Sequence, residues 1–102
     1  FLYEDDLCVV ISDLYPQAPT HVLIIPRQPI AMLSAAGEDD QALLGHLLLV
    51  AGKMAKQLGV EDAFRLVINN GEGGGQTVFH LHLHLLAGRD MKEGELAQGL
   101  AP

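Results

Sequence analysis

The sequence predicts an α+β fold, an antiparallel sheet of about five strands with one main helix, and three observations lead there. Short β-favouring apolar runs bounded by turn residues fill the first 30 residues and return after residue 63. Between Ser34 and Gly59 the apolar spacing changes to three and four residues, the period of a helix. In His80-Leu81-His82-Leu83-His84-Leu85-Leu86, imidazoles and leucines alternate, and the two faces of a strand would separate them. At 102 residues the chain is long enough for one real core and too short for two, so residues 1–102 are read as a single domain.

Taken in order, Phe1 to Tyr3 reads as the end of a strand, Glu4-Asp5-Asp6 as a turn, and Leu7 to Ile11 as a buried strand. Ser12 to Pro19 is an irregular crossing, because Pro16 and Pro19 break any ladder and restrict the residues before them. His21 to Ile25 is a second strand, stopped by Pro26, and the two adjacent strands suggest an antiparallel pair. Asp13 and His21 fall at strand ends, where a rigid scaffold tends to place chemistry. Glu38-Asp39-Asp40 precedes Leu43, Leu44, Leu47, Leu48, Ala51, Met54, Ala55 and Leu58, a helix closed by Gly59. Leu49 and Val50 widen its apolar stripe beyond what one sheet face needs, and a symmetric dimer is the simplest cover. Phe64 to Asn69 is the next strand, Asn70 to Gln76 a glycine-rich connection, and 77–87 the histidine strand, with Thr77-Val78-Phe79 favouring β structure. After Gly88 the tail is polar and shows no readable shape.

Charge narrows the partners. A formal net charge of -7 with 6 Lys+Arg and no basic cluster argues against a nucleic-acid backbone, which needs many cationic phosphate contacts. One cysteine, Cys8, excludes an intramolecular disulfide, and no apolar run reaches membrane-spanning length, so a reducing cytoplasmic setting is expected. The chain opens on Phe1 rather than a methionine. That leaves room for a natural N-terminal segment before it, a targeting signal included.

Three imidazoles on one strand face suit either a metal site or phosphoryl transfer. A structural zinc site would want further thiolates or imidazoles, and Cys8 is the only thiol, so no metal or other cofactor is expected. The residues before the histidines favour a phosphate. Glycine N–H groups can approach an anion closely, and the Thr77 hydroxyl follows them. A neutral imidazole is a competent nucleophile toward phosphorus, and a covalent intermediate divides one hard displacement into two easier ones.

The pattern His80-x-His82-x-His84-x-x with apolar x resembles the histidine-triad (HIT) motif. Pro16 to His21 followed by an apolar strand and Pro26, then Asn69 and Gly74-Gly75-Gln76-Thr77, is similar to the nucleotide-binding, purine nucleoside phosphoramidase branch of that family. The similarity runs from about Tyr3 to about Arg89. The resemblance implies a HIT-type fold that dimerises into one continuous sheet. It implies that His82 attacks the α-phosphorus of a purine nucleoside 5′-phosphoramidate and is transiently nucleotidylated, and that the His80 carbonyl orients it. His84 and Thr77 would contact phosphate oxygens or the leaving group, and His21 would lie close to the triad. Asn69 would complete the phosphate pocket with backbone groups near Gly75, and Gln76 joins these as a substrate-binding residue. Asp13 would bond the ribose hydroxyls, with Ile11, Leu14 and Ile25 around the base.

The reaction implied is hydrolysis of P–N bonds, and of mixed acyl-adenylates, to a nucleoside monophosphate. Charge on the transition-state oxygens would be met by N–H groups, a hydroxyl and imidazolium, with no Arg or Lys nearby. The runner-up enzyme is a dinucleoside polyphosphate hydrolase or nucleotidyl transferase. Outside catalysis stands a nucleotide-binding interaction module, and third a histidine-strand metal protein. Without the resemblance, Asp13 reads as a turn residue and His21 equally as surface or site, while a flexible hairpin is the lesser rival to the glycine run's anion-cradling reading. His46 is a surface or interface histidine on either view. The sequence also departs from the branch. Pro29 stands where many relatives carry histidine, Thr77 replaces a more common serine, and the tail lacks the Trp-Pro ending of some relatives.

Overall fold

The computed structural model describes residues 1–94; the tail beyond them, whose sequence departs from the branch, lies outside the described residues. Five strands form one antiparallel sheet: β1 (Tyr3–Glu4), β2 (Cys8–Ser12), β3 (Thr20–Pro26), β4 (Phe64–Val67) and β5 (Leu83–Ala87), ordered β1-β2-β3-β5-β4. The single α-helix, α1 (Gln41–Gln57), packs across one face.

The sheet follows from the alternation in its strands. Cys8 and Val10 of β2, Val22 and Ile24 of β3, and Leu83 and Leu85 of β5 point to one face, in register through Val10↔Ile24, Ile24↔Leu83 and Val22↔Leu85. They meet Leu43, Leu47, Val50, Ala51, Met54 and Ala55 of α1 in the main core. Each aliphatic side chain fully removed from water there contributes about 1.5–3 kcal/mol. Ahead of the helix, the Gly37 N–H donates to the Asp40 carboxylate while the Asp40 N–H donates to the Gly37 carbonyl. This reciprocal pair fixes the acidic entry that the macrodipole favours. Past the last turn, Gly59 takes φ +74°, the left-handed conformation that ends a helix.

The histidine strand is shorter than the sequence predicts. β5 begins at Leu83 instead of residue 77, and His80 and His82 lie in an irregular lead-in outside the ladder. The cause is Pro26. The register that pairs Ile24 with Leu83 would set Pro26 opposite Leu81, and proline has no N–H to give. The Leu81 N–H donates to the Ile30 carbonyl instead, at 2.7 Å. The helix differs too. Val50, expected on the surplus apolar stripe, is buried in the core, whereas Leu48 and Leu49 are 55% and 75% exposed. Among the described residues no helix is long and apolar enough to cross a membrane.

Candidate functional site

On the face of the sheet away from α1, β3 carries His21 and β5 carries His84, and the lead-in to β5 brings His82 and His80 alongside. Separating imidazoles from leucines places His84 opposite the helix side, yet that face is covered as well. His84 is fully buried and His82 is 8% exposed. Ala18, Leu86, Val67 and Met91 form a second apolar cluster on that side.

Hydrogen bonds link the group into one unit. His80 Nε2 lies 2.7 Å from the Pro26 carbonyl oxygen, so it donates there and anchors the lead-in to the end of β3. His82 Nδ1 lies 2.7 Å from the His80 carbonyl oxygen. A carbonyl can only accept, so the His82 proton sits on Nδ1 and Nε2 keeps its lone pair. The same logic runs through the second pair. The Gln17 N–H donates to His21 Nδ1 at 3.0 Å, which places the His21 proton on Nε2. His21 Nε2 then donates to His84 Nδ1 at 2.9 Å, which leaves the His84 proton on Nε2. That nitrogen is buried and has no hydrogen-bond partner. The His82 and His84 rings meet nearly edge to face, with centroids 5.1 Å apart.

Electrostatics agree with these protonation states. Burial, reinforced by the neighbouring His82 and His21 and opposed by Asp13, pushes His84 down to about 4. Burial also lowers His21, against the pull of Asp13. At neutral pH both are neutral imidazoles, so neither supplies the resting imidazolium the sequence suggests. Asp13 is buried; one carboxylate oxygen accepts the Tyr15 N–H at 2.8 Å and the other lies 3.5 Å from His21 Nε2. It thus closes a turn and also faces the histidine group.

Asn69 is half-buried, and a Cβ added at Gly75, whose φ is +93°, would stand 3.9 Å from the Asn69 side chain. The glycine run differs from an anion cradle: the N–H groups of Gly74, Gly75 and Gln76 all bond to carbonyls of Gly71 or Glu72 within the loop. Gln76 is 2% exposed and its side chain is the loop's clamp, accepting from the Gly71 N–H and donating to the carbonyls of Ala31 and Val78. Thr77 is exposed on the loop leading to His80, and Leu14 is 87% exposed beside Asp13. Two participants were not foreseen. Gln17 sets the His21 tautomer through a backbone N–H that no side-chain pattern marks, and Arg89 Nε donates to the carbonyl of the same Gln17 at 3.4 Å, bringing a cation near a site expected to have none. Asp13, His21 and His84 offer ligand atoms within 4.8 Å of one another, but His21 and His84 are joined to each other and His21 to Gln17.

Residues 1–91 match the HIT domain family. An uncharacterized HIT-like protein of Synechocystis sp. is 64% identical over 88 residues, covering 86% of this chain and 77% of its own. A 14 kDa zinc-binding protein of Zea mays is 49% identical over 92 residues, 88% of this chain and 72% of its own. The crystal structure of a HIT family hydrolase from Legionella pneumophila superposes with TM-score 0.88 at 45% identity, covering 90% of this chain and 83% of that one. The alternating histidines, the five-stranded sheet with its one main helix, and a match across residues 1–91 together make this chain a member of the HIT family.

Proposed function

We propose that this protein is a purine nucleoside phosphoramidase, hydrolysing P–N bonds of nucleoside 5′-phosphoramidates and mixed acyl-adenylates through a nucleotidylated His82. The observation that carries the reading is the 2.7 Å contact between His82 Nδ1 and the His80 carbonyl, which leaves the lone pair on Nε2. In the first step His82 Nε2 bonds to the α-phosphorus as the P–N bond breaks, and the amine leaves with that electron pair and takes a proton from solvent. In the second step water attacks phosphorus, loses a proton to solvent, and His82 recovers its lone pair as the nucleoside monophosphate departs.

The buried His84 Nε2–H is an unmatched donor beside the nucleophile, and a phosphate oxygen would satisfy it. Because the chain from Gln17 through His21 to His84 ends on a backbone amide, it supplies a fixed hydrogen bond and no mobile proton. Asp13, Leu14, Asn69, Gly75, Gln76 and Thr77 belong to the substrate-binding part of the proposal, Gln76 by holding the loop. A single HIT domain spanning 1–102, a cytoplasmic setting, and a homodimer that covers Leu48 and Leu49 complete it.

The test is release of AMP from adenosine 5′-phosphoramidate by the intact chain and by His82→Ala, in buffer with a chelator. The reading expects an active parent and a variant at background. Equal background rates in both would favour a nucleotide-binding module, and preferred turnover of dinucleoside polyphosphates would favour the other enzyme class.

A further inference from the structure

On the helix side of the sheet, away from the histidine group, the β1–β2 turn meets α1 at a second cluster. We propose that Asp5, Cys8 and His46 form a binding site for one zinc ion that ties the β1–β2 turn to the helix.

The donor set is an oxygen, a sulfur and a nitrogen, the three ligand types zinc accepts. A carboxylate oxygen of Asp5, Cys8 Sγ and a ring nitrogen of His46 all lie within 4.8 Å of one another. Ligand atoms around a tetrahedral zinc, with bonds of about 2.0–2.3 Å, stand roughly 3.3–3.8 Å apart. His46 Nε2 and Asp5 Oδ2 now share a hydrogen bond of 2.7 Å, so that pair must open by roughly 0.6 Å to admit the ion. An ion pair between turn and helix accounts for Asp5 and His46 alone. Cys8, an inward-facing residue of the core, adds a thiol within ligand distance of both.

The cluster is set up to receive a cation. Hydrogen bonds from the Leu7 N–H, the Cys8 N–H, the Tyr3 hydroxyl and His46 hold the Asp5 carboxylate in place. The His46 and Asp5 side chains are 30% and 24% exposed, which gives an ion a way in, while the buried Cys8 closes the inner side. The surface groove beside His46 is also lined by Glu38 and Asp39, so its field favours a cation, and water there completes a fourth position. The nearby positive groups are anchored elsewhere. Arg27 Nε donates to the Asp5 backbone carbonyl, and Lys53 Nζ lies over the Tyr3 ring.

Binding must displace a proton. A cysteine bound to a metal is a thiolate, so the free, buried Cys8 thiol must give up its proton. The ion takes the thiolate and the neutral imidazole; the S–H bond breaks, its proton goes to solvent, and the His46–Asp5 hydrogen bond gives way to two metal bonds. The site ends with three protein ligands, one water and no net charge.

The experiment titrates the full chain, stripped of metal and kept reduced, with Zn²⁺ by calorimetry and with Co²⁺ by absorption. One ion per chain, heat that varies with buffer as protons are released, a sulfur-to-cobalt charge-transfer band, and a higher melting temperature with zinc are expected. Because Cys8 is the only cysteine, such a band assigns the sulfur without any variant. Cys8→Ser and His46→Gln should each weaken binding by more than the roughly 10- to 100-fold that loss of an outer partner causes. Both should keep phosphoramidate turnover, which checks that they fold. Absence of the band, binding unchanged in Cys8→Ser, or binding lost instead in His21→Gln combined with His84→Gln would each overturn the site.

Discussion

His21 donates its Nε2 proton to Nδ1 of His84 at 2.9 Å, and that one bond decides which nitrogen His84 presents to the pocket. His21→Ala removes the donor and lets His84 take either tautomer. Loss of a partner that orients an imidazole costs about 10- to 100-fold where it has been measured in metal sites, and a fall in kcat of that order is expected. His21→Gln, whose amide can donate to His84, should recover part of it. Steady-state kinetics of both variants distinguish this from a packing defect, which Gln would not repair.

Removing His84 itself deletes the unmatched buried donor. His84→Ala should lower kcat by about 10²- to 10³-fold, the scale for one donor aimed at developing charge. KM should change much less. Single-turnover release of AMP checks the split.

Stability should fall on the acid side because of the same residue. The His84 pKa lies at about 4 in the folded protein against 6.5 for an ordinary histidine, so between those values the unfolded chain binds more protons. The contribution is fully present above pH 6.5 and is lost as pH falls toward 4, on the order of 3 kcal/mol in all at about 1.4 kcal/mol per pH unit. Urea melts of the parent and of His84→Gln across this window should show a shallower pH dependence in the variant.

Gln76→Ala should destabilise without touching the nucleophile. It removes the partner of the Gly71 N–H and of the carbonyls of Ala31 and Val78, and each lost hydrogen bond costs about 0.5–1.5 kcal/mol. Gln76→Glu accepts from Gly71 but cannot donate to two carbonyls, so it should rescue little. Thermal melts rank the three proteins.

Gly88 ends β5 at φ +94°, and a Cβ placed there would stand 2.9 Å from Cβ of Pro19. Gly88→Ala is therefore strained in its backbone and clashes with a rigid ring. A loss of about 1–3 kcal/mol is expected, read as a lower urea midpoint.

How far these features were legible in the sequence depends on what each needs. The strands and α1 follow from local alternation and spacing, and Gly59 closes the helix where a glycine should. The side chain of Val50 could not be assigned so locally, since whether it meets the core depends on the angle at which α1 crosses the sheet. The start of β5 was hidden for a different reason. The limiting residue, Pro26, is more than 50 positions away and acts only through the register of β3 against β5. Within the site, the histidines announce themselves by type and spacing. The Gln17 N–H does not, because every non-proline residue carries one. The meeting of Asp5 with His46, 41 residues apart, likewise becomes visible only once the turn and the helix are in place.

The end of the β3–β5 ladder at Leu83 also divides the molecule by how it breathes. Amides of β5 are locked between two neighbouring strands and should exchange with solvent water only when the whole sheet opens. The Leu81 amide hangs on a single bond to the Ile30 carbonyl, and its loss disturbs no strand. His82 therefore stands outside the ladder, held through the His80–Pro26 bond and the buried Leu81 side chain, whereas its neighbour His84 is held by the ladder itself.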